Sequence, residues 1–226
     1  MRLTYYGQSC IGVHTAGLHL LFDPAIGVNP LAQGKVDVAS IPADVVLLTH
    51  GHGDHVFDAE AIVKRTGAKL LSNYEIVEWF AAKGITTGVH MNLGGSTTVN
   101  ALRIKYVNAI HSSQLPDGSY GGSAGAFVVQ GPEGNFHHAG DTALTMDMQL
   151  LKRYQLKFAC LPIGDTFTMD VDDAVEAARL MGVDQVVGMH YDSFPPIRID
   201  HTKARETFRK AGITLHLPGI NESIEL

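Results

Sequence analysis

Cysteine is scarce in this chain: of 226 residues only Cys10 and Cys160 carry a thiol. Two cysteines in unrelated contexts build no disulfide framework, and neither sits in a zinc-type pair. That usage fits a reducing, cytoplasmic compartment. The first residues, Met1-Arg2-Leu3-Thr4-Tyr5-Tyr6-Gly7, lack the apolar stretch of a signal peptide. No apolar run approaches the roughly 18–20 residues that a membrane span needs. Runs of Lys or Arg are missing too, and the formal net charge is −6. Both argue against nucleic acid as a partner, since binding a polyanion needs a basic footprint. Without a Pro- or Ser-rich linker or a low-complexity tract, residues 1–226 read as one domain with a sizeable core.

What the chain does have is a dense group of metal-ligand residue types. The apolar run Asp44-Val45-Val46-Leu47-Leu48 reads as a buried strand. It leads into Thr49-His50-Gly51-His52-Gly53-Asp54-His55, where three histidines and one aspartate fall within six residues. Imidazole nitrogens and carboxylate oxygens are the donors that Zn²⁺ and similar ions take. The intervening glycines let a tight loop turn several side chains toward one point.

Strands are predicted at Arg2–Tyr6, Cys10–Thr15, Leu18–Phe22 and Val45–Thr49, separated by Gly- or Pro-bearing turns. A helix over Ala59–Thr66 is closed by Gly67. A strand at Lys69–Ser72 then feeds a helix capped by Asn73 and ended near Gly84. Further strands are predicted near Thr98–Val99 and at Leu102–Ile110, Gly125–Val129 and Asn135–His138. Helical signals return at Leu144–Tyr154, Val171–Met181 and Lys203–Ala211, alternating with strands at Phe158–Pro162, Gln185–His190 and Ile213–Leu217. Asp170 and Asp173 suit the start of the second of these helices. Strands followed by strand/helix alternation thus occur twice, in about 1–100 and 101–226. The economical architecture is α/β: two sheets face to face with helices outside, a four-layer αββα sandwich. Ser112–Ser123, with Gly118, Gly121 and Gly122, reads either as a mobile loop beside the site or as an ordinary surface loop.

One loop does not complete a metal site that performs chemistry, so further ligands are expected from other strand ends. His111, Asp141 and His190 each follow a predicted strand, and Gly140 gives close backbone approach beside Asp141. The series His50-x-His52-x-Asp54-His55, His111, Asp141, His190 resembles the full ligand set of the metallo-β-lactamase fold superfamily, over the whole chain and in the right order. More locally, Gly140-Asp141-Thr142, Phe167-Thr168-Met169 and His190-Tyr191-Asp192-Ser193-Phe194-Pro195-Pro196 resemble one subgroup. These are the small prokaryotic metal-dependent hydrolases related to L-ascorbate-6-phosphate lactonase.

The resemblance implies two divalent ions, zinc by default, with manganese, iron and nickel also suited to such donors. His50, His52 and His111 would bind the first, Asp54, His55 and His190 the second, and Asp141 would bridge them. It further implies hydrolysis of a small ester, lactone or phosphodiester by a metal-bridging hydroxide, with Asp54 orienting the nucleophile or taking its proton. The oxygen-reducing diiron branch carries an acidic residue where this chain has His52. The β-lactamases with a cysteine ligand lack the full paired set. Both activities are therefore disfavoured. Relatives that act on glutathione thioesters, tRNA or RNA carry extra domains or arms, which leaves a small soluble substrate as the expectation; relatives of this kind commonly assemble, which implies a homo-oligomer. The alternatives are a phosphodiesterase or nuclease acting on nucleotides, and a non-catalytic metal-binding module.

Four other residues carry two readings each. Asp23 either accepts the N–H of a ligand histidine or forms a turn before Pro24. His138 either lines the pocket or is a satisfied core histidine. Asp165 and Thr168 either touch substrate or cap the following helix. Phe194, Pro195 and Pro196 are expected to wall the pocket after His190. Cys160, flanked by apolar residues, reads as inert core.

Overall fold

The computed structural model describes residues 1–226. The chain opens with antiparallel hairpins, β1 (Arg2–Gly7), β2 (Cys10–Thr15) and β3 (Leu18–Phe22). It then switches to parallel pairing through β4 (Val45–Leu47), β5 (Lys69–Asn73) and β6 (Gly88–Met91). Between these strands lie α1 (Gly53–Val56), α2 (Ala59–Thr66) and α3 (Tyr74–Ala81). The second half repeats the plan. Here β7 (Ser96–Val99), β8 (Leu102–Asn108), β9 (Gly125–Gly131) and β10 (Gly134–His138) pair antiparallel. Parallel β11 (Leu156–Pro162), β12 (Gln185–Met189) and β13 (Thr214–His216) follow, with α4 (Val171–Met181) and α5 (His201–Lys210) between them. Finally β14 (Glu222–Glu225) returns to pair with β1. The result is two seven-stranded sheets, ordered β14-β1-β2-β3-β4-β5-β6 and β13-β12-β11-β10-β9-β8-β7.

Alternation along the strands explains the layering, because successive side chains of a strand point to opposite faces. In sheet one, Leu20, Phe22, Val45, Leu47 and Leu71 join the core between the sheets. Their neighbours Leu21, Val46, Leu48 and Leu70 face the other way, onto Ile62, Val63, Ile76, Val77 and Phe80 of α2 and α3. A strand buried on both faces reads as a continuous apolar run, which is why Val45–Leu48 shows no polar alternation. Sheet two is covered outside by α4 and α5, whose Ala174, Ala177, Ala178, Ala204 and Phe208 are buried. Helix, sheet, sheet, helix is the αββα sandwich. At its centre Phe22 packs edge-on to Phe127 and Phe136 and stacks on His138, 4.6 Å between centroids.

The predicted elements differ from the fold in a few places. Strand β8 stops at Asn108 rather than Ile110, because Ile110 leaves the sheet: its N–H donates to Thr142 Oγ1 (3.0 Å), and its carbonyl accepts from Ala143 N. The segment expected as a helix over 144–154 is a 3₁₀ helix, Met146–Tyr154. Its buried residues, Met148 and Leu151, stand three apart, which matches the 3₁₀ repeat. The strands β6 and β14 escape sequence reading because both lie at sheet edges with mixed or little burial and leave no alternation. Ser112–Ser123 lies beside the site and is tied down: Asn73 Nδ2 donates to Gly121 O and Ser123 O, and Ser113 Oγ accepts from Gly51 N.

Candidate metal centre

The connections that leave the carboxyl ends of the strands converge at one rim of the sandwich. They bring Asp23 after β3, Thr49 to His55 after β4, His111 after β8, Asp141 after β10 and His190 after β12. All seven ligand candidates meet there. His50 Nε2 lies 3.0 Å from His52 Nδ1 and 4.0 Å from Asp141 Oδ2. Asp141 Oδ2 is also 3.3 Å from His55 Nε2, 3.6 Å from His111 Nε2 and 3.0 Å from His190 Nε2. Asp54 Oδ2 stands 3.6 Å from both His55 Nε2 and His190 Nε2. Asp141 is therefore the central carboxylate.

Asp23 sets the orientation of two histidines at once. It is fully buried and accepts the Thr49 N–H (2.8 Å) and the Thr49 hydroxyl (2.7 Å). It also accepts His55 Nδ1–H (3.0 Å), since a carboxylate only accepts. With its proton committed to Asp23, Thr49 Oγ1 accepts from His50 Nδ1–H (3.0 Å). Both imidazoles are thereby fixed with Nδ1 protonated and the Nε2 lone pair turned toward the centre, the tautomer that a metal ligand needs.

Cross-sheet contacts seat the rest. Gly140 has φ +59°, and a Cβ there would stand 2.7 Å from the Thr49 side chain, so the Asp141 turn reaches Asp23 and Thr49 only because residue 140 is glycine. His138 donates Nε2–H to Ser9 O (3.1 Å) and accepts Gly140 N–H at Nδ1 (3.3 Å). It is a buried, satisfied positioning histidine and does not line the pocket. Gln8, in the β1–β2 turn with φ +53°, donates Nε2–H to Asp54 Oδ2 (3.0 Å) and accepts from Ser193 Oγ. Its carbonyl accepts His190 N–H (3.0 Å).

Five histidines and three carboxylates perturb one another. Burial, reinforced by His55, pushes His50 well below the usual imidazole range. Burial alone would lower His55 too, but Asp141, Asp54 and Asp23 hold it well above that range. His190 is likewise raised, to about 9, because Asp141 and Asp54 outweigh burial. Burial is in turn outweighed at Asp141 and Asp54, which His55 and His190 keep below the usual carboxylate range. The carboxylates thus favour positive charge at His55 and His190, the charge that a divalent cation would supply when bound.

The donor set fits metal ions. His55 Nε2 and Asp141 Oδ1 are buried with no hydrogen-bond partner, a costly state for groups that nothing satisfies. Three groups have ligand atoms within 4.8 Å of one another: His50/His52/His111, His50/His55/Asp141 and Asp54/His55/His190. Bonds of about 2.0–2.1 Å in tetrahedral geometry put zinc ligands roughly 3.4 Å apart, inside the 3.0–4.0 Å spread of the distances here. No sulfur takes part: Cys10 and Cys160 are buried elsewhere, and burial pushes both thiols up.

A cleft of about 580 Å³ opens over the centre, lined by His52, Asp54, His111, Asp141 and His190, with Ser112, Gly53, Val28, Phe57, Phe167 and Phe194. Phe194 forms wall as expected, but Pro195 and Pro196 do not line the cleft. Asp165 and Thr168 do not line it. Asp165 Oδ1 accepts Thr166 N–H (2.6 Å) and its carbonyl accepts Thr168 N–H (3.4 Å), closing a turn ahead of α4; the cap of α4 is Asp170, so neither Asp165 nor Thr168 caps the helix. Sequence reading misses Gln8, Thr49, Ser193, Val28 and Phe57. Of these only Thr49, adjacent to His50, carries a signal in its position.

Comparison with known proteins places this arrangement. Residues 19–191 match the family described as the beta-lactamase superfamily domain. A UPF0173 metal-dependent hydrolase of Christiangramia forsetii is 49% identical over 228 residues, covering 100% of both chains. One of Methylacidiphilum infernorum is 47% identical over 227 residues, again covering 100% of both. Among solved structures, the metallo hydrolase Igni18 of Ignicoccus hospitalis superimposes with a TM-score of 0.89 at 34% identity, over 99% of this chain and 97% of the other. No helix is long and apolar enough to cross a membrane. The chain belongs to the metallo-β-lactamase superfamily, among its metal-dependent hydrolases.

Proposed function

We propose that the protein is a binuclear hydrolase of a small ester, lactone or phosphodiester, with zinc as the default metal. The observation that carries this is the convergence of seven donor side chains, with Asp141 at their centre and with His55 Nε2 and Asp141 Oδ1 left without protein partners. His50, His52 and His111 would hold one ion, Asp54, His55 and His190 the other, and Asp141 would reach both. When bound, such a pair supplies a water that ionises near neutral pH and a Lewis acid for the scissile oxygen. Asp23, directly at His55 and through Thr49 at His50, keeps both lone pairs aimed at the ions. Asp54 has Oδ2 held by Gln8, which leaves Oδ1 to orient the attacking water and accept its proton. The two cysteines, both free and buried, suit a cytoplasmic enzyme.

Elemental analysis of protein purified without added metal tests this first. About two zinc or manganese ions per chain are expected. One or none, without gain on reconstitution, would exclude a binuclear site. An Asp54→Asn variant should lose metal and turnover together; unchanged activity would remove Asp54 from the mechanism.

A further inference from the structure

The mouth of the cleft is apolar in a way that the ligand set does not require. Val28 is 43% exposed, Phe57 57% and Phe167 52%, and with Phe194 they ring the opening. Exposed aromatic side chains gathered around a cavity mark a binding surface.

The backbone is built to hold them there. Asp165 and Thr166 have φ of +63° and +58°, a strained conformation for a β-branched threonine. The turn they make presents Phe167, whose ring lies 6.0 Å from Phe194. Thr166 Oγ1 donates to Pro196 O (3.0 Å), stitching the Phe167 turn to the segment that carries Phe194. A second stitch holds the other pair: Asp58 Oδ2 accepts the N–H of Ile26 (2.6 Å) and Gly27 (2.8 Å), fastening the chain before Val28 to the residue after Phe57. A Cβ on Gly27 would lie 3.1 Å from the Phe57 ring, so glycine lets this pair close.

Charge points the same way. The lining includes the carboxylates of Asp54 and Asp141 but no Lys or Arg. The ions would themselves hold a phosphoryl group at the reacting centre, but a phosphate carried elsewhere on the substrate calls for such a side chain; an uncharged ester or lactone needs none.

Resting on the hydrolytic reading of this cleft, we propose that the substrate is an uncharged carboxylic ester or lactone whose hydrocarbon substituent is gripped by Val28, Phe57, Phe167 and Phe194. Water oxygen bonds to the acyl carbon and the acyl C–O bond breaks. The proton released by water ends on the leaving oxygen, giving an acid and an alcohol, or one hydroxy acid from a lactone.

The test pairs γ-alkyl-γ-butyrolactones, methyl to octyl, with 2-alkylcyclopentanones of the same lengths, which keep the carbonyl but have no hydrolysable bond. Titration calorimetry of the zinc-loaded protein with the ketones reads binding alone. Affinity should rise about twofold to fourfold per methylene. Phe167→Ser and Phe57→Ser should flatten that rise; both side chains are exposed, and circular dichroism checks that the fold is kept. Lactone turnover should follow the same slope. Ketone binding that strengthens with length, without any lactone turnover, would support the collar and overturn the hydrolytic reading instead. Ketone affinity indifferent to chain length, or higher for a chain ending in phosphate, would overturn the proposal whatever the turnover.

Discussion

Sheet one delivers His50, His52, Asp54 and His55 from a single turn, whereas sheet two delivers His111, Asp141 and His190 from three separate connections. The two halves are also held differently. His50 and His55 take their orientation within sheet one, through Asp23 and Thr49. In sheet two, His190 Nδ1 and Asp141 Oδ1 are buried without partners. What places them comes mostly from sheet one: Gln8 O for His190 N–H, Ser9 O for His138, and Thr49 against Gly140. One sheet is thus a preformed template, and the other is docked onto it. The centre is complete only when the sandwich is closed, so metal binding and sheet packing stabilise each other.

Removing the template's orienter is the severest way to break this asymmetry. Asp23→Ala leaves Thr49 and His55 without their acceptor and frees both imidazoles to rotate. Metal affinity should fall about 10- to 100-fold, and the metal-free fold should lose roughly 3–5 kcal/mol, as for other buried charged partners. Equilibrium dialysis with elemental analysis, and urea unfolding, measure the two losses. An unchanged metal content would mean that Asp23 is only a turn residue.

Next in size is the contact between template and docked half. Gly140→Ala puts a methyl within 2.7 Å of Thr49 and an alanine at φ +59°. Steric displacement and left-handed strain together should cost about 2–4 kcal/mol. Because Asp141 would reach both ions, both should weaken together, read from metal titration beside urea unfolding. Stability lost without any loss of metal would mean that the docked half can shift while the centre stays closed.

Sheet two also carries an acid-sensitive residue outside the ligand set. His137 is 2% exposed and donates Nδ1–H to Phe127 O (3.0 Å). Burial, with His138 adding, pushes it down to about 3. The unfolded imidazole takes a proton near about 6.5. As pH falls through that value the unfolded state gains a proton that the folded state refuses, so stability drops by roughly 1.4 kcal/mol per pH unit until about pH 3. Between pH 7 and pH 5 the wild type should lose about 2 kcal/mol more than His137→Leu, read from urea midpoints at the two pH values. Parallel losses would show that His137 is protonated or hydrated inside the fold.

The same asymmetry explains what was legible in the sequence. A turn that carries four donors in six residues is a local pattern, and β4, with its uninterrupted Val45–Leu48 run, announces its own burial. Helix α2 could be bounded at both ends because Gly67 closes it and Ile62 and Val63 mark one buried face. Asp141 and His190 were legible only as ligand types placed after strands. Gln8 was not legible at all. It is a polar residue in a tight turn, and its partners Asp54 and Ser193 lie 46 and 185 residues away. Phe57 went unread and Phe167 stood only inside a motif; a helix-end or loop phenylalanine is ordinarily core, and only the folded chain shows both facing water. Asp165 carried the opposite signal: an acid near a motif, which the fold spends on capping a turn.

Gln8 gives the mildest and most discriminating test, since it belongs to the template yet holds one ligand from each half. Gln8→Ala removes the Nε2–H that fixes Asp54 and the Oε1 that accepts from Ser193, but keeps the carbonyl that accepts His190 N–H. Stability should fall by only about 1 kcal/mol, the worth of an ordinary hydrogen bond. Affinity for one of two metal equivalents should fall roughly tenfold, as expected when a ligand loses its orienting partner, while the equivalent held by His50, His52 and His111 is unaffected. Gln8→Glu keeps the acceptor for Ser193 but sets a carboxylate against Asp54, so the metal-free protein should lose more stability than Gln8→Ala does. Two-site binding isotherms separate the equivalents. A uniform loss at both sites would place Gln8 in the general scaffold and erase the division between template and docked half at this point.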